Sequence, residues 1–543
     1  MTESLAEEQS AADAGQRQST AAHMGRVFRA ASLVMVLFVI SRALGLLREM
    51  VIAAQFGTSA EMDAYLAAFR IPDFLFYMVA GGALASAFIP TFTGYLAHKD
   101  MSGAWRLASA TINWVVIILL VLGGIAAIVA PWLVPTLYSD FSPAQSILTI
   151  ELMRWMLIAT VLFGVSGVVM GILNARQHFF LPALAPVIYN LAIILGAWFL
   201  GPVWGVRGLT AGVVLGSAGH LLVQLPGLVW GKPRMRYQLV LTAYDGSLRD
   251  VGQLMAPRVL GLAAVQINFL VTTILASTLV AGSLTALNYG WIIMLLPQGI
   301  IAQSVATALF PTLAALVAQG EQSEMRRVFG TTLRNLLFFT LPAAVGLIIL
   351  AVPIVRMLLE RGAFGAASTR ATAWALALFS LGLIGHAVVE ISARAFYALK
   401  NTKTPVGIGI LTMVVNIGLS LLFLDLFGLV GWAPHGGLAL ANSIAVMLEM
   451  AILLVLLRRT MGGLGAPGLG RSVAKMSLAA AGMALALLSI SPLLPAEYVW
   501  LTGLIGIFGG GIVYLGLAYV LGAEELKQIE RRVLQRVGRI RGA

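Results

Sequence analysis

Long apolar stretches separated by short polar turns run along almost the whole chain. A helix needs about 20 mainly apolar residues to cross a bilayer. Fourteen stretches reach that length, and they are centred near residues 40, 78, 118, 163, 191, 216, 267, 300, 342, 382, 414, 447, 482 and 508. The pattern predicts an all-α polytopic membrane protein with fourteen transmembrane helices.

The amino-acid composition supports the same class. The chain of 543 residues is 59% hydrophobic and 11% charged, whereas an average soluble domain is about 45–50% apolar and about 25% charged. It contains no cysteine, which excludes disulfides, thiolate metal ligands and cysteine nucleophiles.

Basic residues, which give the chain a net charge of +12, are distributed unevenly between the two sides of the predicted bundle. Most lie in turns on the side of the N-terminus, and the opposite loops hold Arg207, Arg356, Arg361 and Arg370. Cytoplasmic loops carry an excess of Lys and Arg. The bias predicts that both termini are cytoplasmic and that the number of spans is even.

Three pairs of similar segments indicate an internal repeat. SRALG at 41–45 resembles PRVLG at 257–261, ASAFIPTFTGYLA at 85–97 resembles ATALFPTLAALVA at 306–318, and Pro182 aligns with Pro405. The offsets lie between 216 and 223 residues, which is the length of six predicted helices. The two copies then share one orientation in the membrane, as in transporters built from parallel repeats.

The repeat divides the chain into five parts. They are a polar tail, an N-lobe, a C-lobe, two helices outside the duplication and a basic amphipathic tail. Their boundaries are 1–27, 28–231, 247–460, 470–521 and 524–543. We expect the first tail to be disordered and the last to lie on the anionic inner leaflet.

Charged residues are concentrated in the hairpin of the first two predicted helices. This hairpin contains Arg42, Arg48, Glu49, Asp63, Arg70 and Asp73. A charge at membrane depth costs a few kcal/mol, so these residues need partners or a water-filled cavity. Two interpretations are open: a cation cluster that meets an anionic substrate, or ion pairs of the first-helix arginines with Asp63 or Asp73. A guanidinium has five donors and can serve both.

Three further features add to this hypothesis. Pro72, between Arg70 and Asp73, removes a backbone donor and is predicted to bend or break the second helix. Arg258 is the repeat-mate of Arg42, so it is predicted to point at the same central space, unless it snorkels to the membrane interface. Glu390 and Arg394 are four residues apart, which favours a structural ion pair; the alternative is a carboxylate coupled to protons or sodium.

Catalytic motifs are missing from the sequence. It contains no P-loop, HExxH or GxSxG motif, and its six histidines have no metal-ligand spacing. The sequence therefore predicts a protein that is not an enzyme and that needs no cofactor, metal or nucleic acid.

Seven segments of the chain carry a resemblance to a known family. They read SRALGLLRE, FGTSAEMDAY, FRIPD, GGALASAFIPTF, GILNARQHFFLPALAPVIYN, LLERGAF and ARAFYALKNTKTPV. Together they resemble the MurJ (MviN) family of the multidrug/oligosaccharidyl-lipid/polysaccharide exporter (MOP) superfamily. The resemblance covers about residues 28–521. It implies two six-helix lobes around a central cavity, a C-terminal helix pair that forms a groove for a lipid tail, and the bacterial inner membrane.

The resemblance also implies roles for the charged residues. Arg42 and Arg48 match two cavity arginines, Glu49 stands where Asp is frequent, Asp63 matches the acidic residue after the FG turn, and Arg70 stands at a basic position. Tyr77 and Ile292 depart from the family pattern, because arginines are frequent at both positions. Either Arg70, Arg258 or Arg394 supplies the charge instead, or the substrate differs.

The activity that the resemblance implies is the flipping of lipid II from the inner to the outer leaflet by a monomer, through alternating access. Lipid II is the undecaprenyl-diphosphate-linked precursor of peptidoglycan, and cavity arginines would bind its diphosphate. Two alternatives stay open. One is export of another polyprenyl-linked glycan, or MATE-like cation-coupled antiport. The other is a non-transporting scaffold for cell-wall synthesis.

Overall fold

The computed structural model describes residues 32–80, 83–230, 234–242, 247–490 and 499–527. Within these ranges the chain forms helices joined by short turns and contains no β-strand. The helices are α1 (residues 32–56), α2 (Ala60–Val79), α3 (Ala83–Ala97), α4 (Met101–Leu137), α5 (Pro143–Ala175), α6 (Phe180–Trp204), α7 (Val206–Val229), α8 (Ser247–Ser277), α9 (Ser283–Ala318), α10 (Gln322–Ile349), α11 (Ala351–Leu359), α12 (Ala366–Ser380), α13 (Leu383–Ala398), α14 (Lys403–Val430), α15 (His435–Met461), α16 (Leu469–Ile490) and α17 (Val499–Val520). The predicted N-terminal tail and most of the C-terminal tail lie outside the described residues.

Of the helices described, ten are long and apolar enough to cross a bilayer, or eleven if α12 and α13, which are bent by 46°, form one span. Every predicted centre falls within a helix or, near residue 382, at this bend. The charged helices α1, α2 and α8 are not among the ten. The exact count of fourteen spans therefore stays a prediction.

The chain divides into two compact units. The first contains Met1–Gln55, Ala68–Leu133 and Ile147–Ala263, and the second contains Phe56–Ala67, Val134–Ser146 and Ala264–Ala543. The second unit therefore takes in two short segments of the N-terminal half, namely the α1–α2 turn with the start of α2 and the turn between α4 and α5. The predicted lobes follow chain order and do not include this exchange.

The core of the first unit is aromatic and lies among α3, α4 and α5. The rings of Phe88 and Phe92 stack with centroids 5.2 Å apart, and Trp105 lies 5.9 Å from Phe92. Leu119 and Ile172 complete the buried cluster. Since lipid is as apolar as these side chains, close packing rather than exclusion of water stabilises such a core.

An extended segment, residues 234–242, follows the polar face of α4. Ser109, Asn113 and Trp114 all form hydrogen bonds to its backbone. These α4 positions are four and five residues apart from Ser109, which places them near one another on the helix surface. The polar side chains of α4 therefore satisfy backbone groups of a segment that has no regular structure of its own.

The second unit is also packed around aromatic residues. Tyr289 of α9 meets Phe364 edge to face with ring centroids 5.7 Å apart. Phe329, Phe338 and Phe396 are fully buried in α10 and α13. The C-terminal helix pair joins this unit, because the Tyr514 hydroxyl of α17 donates a hydrogen bond to the Phe338 carbonyl over 2.9 Å.

Candidate functional site

Arg48 is held by two neighbours within the first unit. Its Nη1 donates to Asn190 Oδ1 of α6 over 3.1 Å, and its Nε donates to Glu49 Oε1 over 3.0 Å. Nη2 forms an ion pair with the same oxygen. Glu49 is only 8% exposed, so it is a buried carboxylate compensated by the adjacent guanidinium. The result is a fixed cation on α1 that keeps about a quarter of its side chain (26%) accessible.

Arg42 lies six residues before Arg48 on α1 and is exposed. Its guanidinium carbon stands 5.3 Å from the centroid of the Phe38 ring, within the range of a cation–π contact. One of the two interpretations of the α1 arginines was an ion pair with Asp63 or Asp73, but the contact that the structure gives Arg42 is aromatic. An exposed guanidinium over a ring keeps its donors available for an anion.

Arg70 and Asp73 are neighbours on α2, and Arg70 is the principal charge acting on Asp73. Both are half-buried. Pro72 was predicted to bend or break the helix; α2 continues through it, so the helix is not broken there, and a bend stays a prediction. The Thr160 hydroxyl of α5 lies 3.4 Å from the Pro72 carbonyl oxygen and 3.1 Å from the Met156 carbonyl oxygen of its own helix. Tyr77 is 38% exposed on the same helix.

Asp63 has partners other than the arginines it was predicted to position. Its Oδ2 accepts a hydrogen bond from the Gly282 amide over 2.6 Å, and its Oδ1 accepts from the Thr285 amide and hydroxyl over 2.8 and 2.6 Å. The carboxylate therefore caps the N-terminus of α9, where amide groups lack partners within the helix. Because Asp63 is 4% exposed, this cap is shielded from water. Its role is to join the start of α2 to α9.

The turn before Asp63 packs closely against the α11–α12 turn. Gly57 adopts φ = +59°, and a Cβ atom there would lie 2.5 Å from the Ala363 carbonyl oxygen. Both the backbone conformation and the close approach require glycine. Thr58 Oγ1 and Ser368 Oγ share a hydrogen bond of 2.7 Å. We call residues 57–63 with their partners on α9 and α12 the turn cluster.

Glu390 and Arg394 form the predicted ion pair, with Arg394 Nη2 2.9 Å from Glu390 Oε1. His386, one turn earlier on α13, shares a 3.2 Å hydrogen bond with Asn442 Oδ1 of α15. Its ring also meets Trp291 edge to face. The alternative role of Glu390, a carboxylate coupled to protons or sodium, stays a prediction.

For two of the predicted positions, Arg258 and Ile292, the structure gives no polar contact between described side chains. The side chain of Arg258 lies outside the described residues, so its opposition to Arg42 stays a prediction. Ile292 is a half-buried residue of α9. No group of three or more His, Asp or Glu residues that could hold a metal ion occurs in the part of the chain that the structure describes.

Sequence reasoning missed three residues that the structure places in polar contacts. Asn190 holds Arg48, Thr285 holds Asp63, and Glu449 of α15 meets Thr412 of α14. Asn190 and Glu449 each stand alone in an apolar run, PVIYNLAII and AVMLEMAIL. An isolated polar residue in a spanning helix was the available signal. Thr285 carried no such signal.

Solved structures define the class. One described as "Lipid II flippase MurJ, inward closed conformation" aligns with 90% of this chain and 98% of its own, at 29% identity and a TM-score of 0.75. A second, described as an inward-facing conformation of a multidrug resistance MATE family transporter of the MOP superfamily, covers 80% of this chain and 99% of its own, at 17% identity and a TM-score of 0.67. The second likeness concerns the fold alone. The predicted all-α polytopic fold of MOP-superfamily transporters is thereby confirmed.

Sequence comparison identifies the family within that class. The sequence profile described as "Lipid II flippase MurJ" matches residues 52–509. The "Probable lipid II flippase MurJ" of Vibrio cholerae is 31% identical over 92% of this chain and 96% of its own length. The "Lipid II flippase MurJ" of Burkholderia cenocepacia is 31% identical over 80% of this chain and 84% of its own. The chain belongs to the lipid II flippase MurJ family.

Proposed function

We propose that this multi-pass membrane protein moves lipid II from the inner to the outer leaflet of the bacterial inner membrane. The observation that carries the proposal is the family match over residues 52–509, together with relatives of that function aligned over nearly their whole length. The proposal includes cytoplasmic termini and a monomeric transporter that performs no covalent chemistry. It also keeps the predicted parts of the chain, with lobes at 28–231 and 247–460.

Arg42 and Arg48 are the proposed contacts for the diphosphate. Arginine binds phosphate oxygens through two parallel donors, which gives geometric specificity as well as energy. Arg48 is oriented by Glu49 and Asn190 before any cargo arrives, so little side-chain entropy is lost on binding. Arg70 and Arg258 are proposed as further cationic contacts, with Asp73 holding Arg70 in place.

The turn cluster is the proposed moving element. Alternating access requires that helix ends separate and rejoin during each cycle. Asp63 caps α9 from a different part of the chain, so its three hydrogen bonds have to break if the start of α2 is to leave α9. A cap of that kind can be released without unfolding either helix.

The polyprenyl tail is proposed to follow α16 and α17. This pair presents exposed apolar side chains, among them Leu485, Phe508 and Ile512 at 67, 67 and 72% exposure. Gly510 lets the two helices approach closely, because a Cβ atom there would meet Leu487 at 3.2 Å. A long apolar surface beside the bundle can accommodate a lipid chain while the polar head is moved.

Complementation of a cell depleted of its own lipid II flippase tests the proposal. We expect the wild-type chain to restore growth, and Arg42→Ala and Arg48→Ala to fail at normal protein levels. Arg207→Ala is the matched control, because Arg207 forms an exposed ion pair with Glu151 in the same unit. Full complementation by both α1 variants would contradict the diphosphate assignment. Failure of the wild type would contradict lipid II as cargo.

Tyr77 and Ile292 favour one alternative cargo, a different polyprenyl-linked glycan. Neither side chain can pair with an anionic head group as arginine would. Native mass spectrometry of the purified protein with lipid II and competing lipid-linked glycans separates the two proposals. Preferential retention of lipid II supports the first; preferential retention of a competitor supports the alternative.

A further inference from the structure

Glu449 is a carboxyl group near the middle of α15, a helix long and apolar enough to cross a bilayer, and the proposed cargo path does not use it. It lies 14 residues from His435 and 12 from Met461, the ends of α15, which corresponds to about 21 and 18 Å along the helix axis. It is half-buried between α14 and α15. A charged carboxylate at such a depth is costly unless a cation compensates it.

No charged group whose side chain the structure describes pairs with Glu449. Helices α9, α12, α13 and α14 pack against α15. Their titratable or charged residues, with those of α15 itself, are Tyr289, Arg370, His386, Glu390, Arg394, Tyr397, Lys403, Asp425, His435, Arg458 and Arg459. Arg394 pairs with Glu390, and none of the ion pairs between described residues includes Glu449. Lys403 lies nine residues from Thr412 on α14, about 13 Å along the axis.

The contact between Glu449 and Thr412 bears on whether the carboxyl group of Glu449 is protonated. Glu449 Oε2 lies 3.3 Å from Thr412 Oγ1. The same hydroxyl lies closer to the Ile408 carbonyl, at 3.0 Å, the usual back-bond of a helical threonine. A hydroxyl has one proton to donate. If that proton goes to Ile408, the contact with Glu449 is satisfied only when the carboxyl donates to Thr412.

Further polar groups extend from this contact along α14. Asn416 and Ser420 follow Thr412 at intervals of four residues and are buried on the same face. Asn416 Nδ2 donates to Asn268 Oδ1 over 2.8 Å, while the buried Asn416 Oδ1 has no hydrogen-bond partner among the described residues. This row places hydrogen-bonding groups beside Glu449 within an otherwise apolar helix pair.

We propose that Glu449 binds a proton within the membrane, donates it to Thr412 as a hydrogen bond, and exchanges it with water during the transport cycle. The release and uptake of a proton during transport rest on the proposed function. The proton-binding site itself does not depend on that function. Release leaves a carboxylate, and rebinding from water restores the neutral acid. The ligand is a proton, so the site needs only one carboxyl and one acceptor.

Infrared difference spectroscopy of the full-length protein in liposomes tests the site without any cargo. We expect a protonated-carboxyl band at neutral pH that Glu449→Gln removes and Glu390→Gln keeps, because Glu390 is ion-paired. Thr412→Val should keep the band but shift its frequency, since the acceptor is lost. A band unchanged in Glu449→Gln, or lost in Glu390→Gln instead, would overturn the assignment.

Exchange is tested by two further measurements. The wild-type band should decrease reversibly as the bulk pH is raised, and a band that persists at every pH overturns exchange. Glu449→Gln, a neutral isostere of the protonated acid, should retain binding of the cargo but fail to complement a depleted cell. Full complementation by Glu449→Gln would overturn the role in transport. If the wild type also fails to complement, the cargo proposal is at fault, while the infrared result stands.

Discussion

Asp63 and Thr285 lie 222 positions apart in the chain, yet one carboxylate oxygen accepts both the amide and the hydroxyl of Thr285, over 2.8 and 2.6 Å. The other oxygen accepts the Gly282 amide. A side chain in the first turn of α2 thus acts as the cap of a helix that begins about 220 positions later in the chain. The partners of Asp63 are thus groups at the start of α9 rather than the α1 arginines.

Replacing Asp63 by Asn should destabilise the protein and abolish complementation. Either orientation of the amide places an NH₂ group against a backbone N–H, which leaves a buried donor unsatisfied at about 1–3 kcal/mol. Thermal unfolding in detergent, followed by fluorescence, measures the loss. Glu61→Gln is the matched control, since this exposed carboxylate lies in the same first turn of α2. Equal melting temperatures for the two variants would contradict the cap.

Replacing Gly57 by Ala should destabilise the protein strongly, although it adds only one methyl group. A left-handed backbone costs a residue with a Cβ atom about 1–2 kcal/mol, and the added atom would lie 2.5 Å from the Ala363 carbonyl oxygen. Gly45→Ala is the control, because a Cβ atom there meets nothing within 4 Å, and Ala in a helix interior is favoured over Gly. We expect a lowered melting temperature for the first variant and an equal or higher one for the second. The reverse order would argue against the turn cluster.

The sequence predicts the helical segments well because each spanning helix needs its own long apolar run. The positions of the arginines also follow from sequence, since a charge in such a run is rare. Their partners do not. Glu49 is adjacent to Arg48, but the Asn190 contact depends on how α1 and α6 pack. A lone asparagine in an apolar run signals a polar contact without naming the partner.

Asp63 shows a second limit of sequence reasoning. Its charge predicted an ion pair with an arginine, because opposite charges attract in a medium of low dielectric constant. The structure instead satisfies it with backbone N–H groups at the start of α9. Unpaired amides occur at the start of every helix and leave no mark in the sequence, so this partner could not have been predicted from residue types.

Replacing Asn190 by Ala should weaken lipid II binding without removing the Arg48 charge. The variant loses the 3.1 Å hydrogen bond that holds Nη1, a contribution of about 1.5–3 kcal/mol for a bond to a charged group. Arg48→Lys should weaken binding further, because an ammonium cannot make two parallel bonds to a diphosphate. Native mass spectrometry with lipid II measures the order of affinity, which we expect to be wild type, then Asn190→Ala, then Arg48→Lys. If both variants bind lipid II with wild-type affinity, the assignment of Arg48 as a diphosphate contact is contradicted.

Replacing Asn113 by Ala should release the extended segment at residues 234–242. The amide donates to the carbonyls of Gln238 and Val240 and accepts from the Tyr237 hydroxyl. Without the Asn113 amide, these two carbonyls and the hydroxyl lose their hydrogen-bond partner on α4. Hydrogen exchange followed by mass spectrometry should show faster exchange in this segment and no change in α9. Tyr237→Phe, which loses one bond, should have a smaller effect. Unchanged exchange in Asn113→Ala would contradict the attachment.

The contact between Glu524 and Arg334 should make the end of the chain sensitive to acid. Glu524 Oε2 accepts a 2.6 Å hydrogen bond from Arg334 Nη2, which also pairs with the buried Glu525. This hydrogen bond lowers the pKa of the Glu524 carboxyl below its ordinary value of 4.5. A pKa lowered in the folded state stabilises the contact above the unfolded pKa. That stabilisation is lost as the pH falls through the lowered value.

Limited proteolysis within residues 521–527 measures this dependence. We expect protection to be constant from neutral pH down to about 4.5 and to fall below it, because protonation of Glu524 removes the charge that Arg334 binds. Glu524→Gln should reduce protection at neutral pH and flatten the acid response. Glu321→Gln, which alters an exposed carboxylate in the turn before α10, should leave the wild-type profile unchanged. Protection that is independent of both pH and Glu524 would show that the contact does not hold the end of the chain.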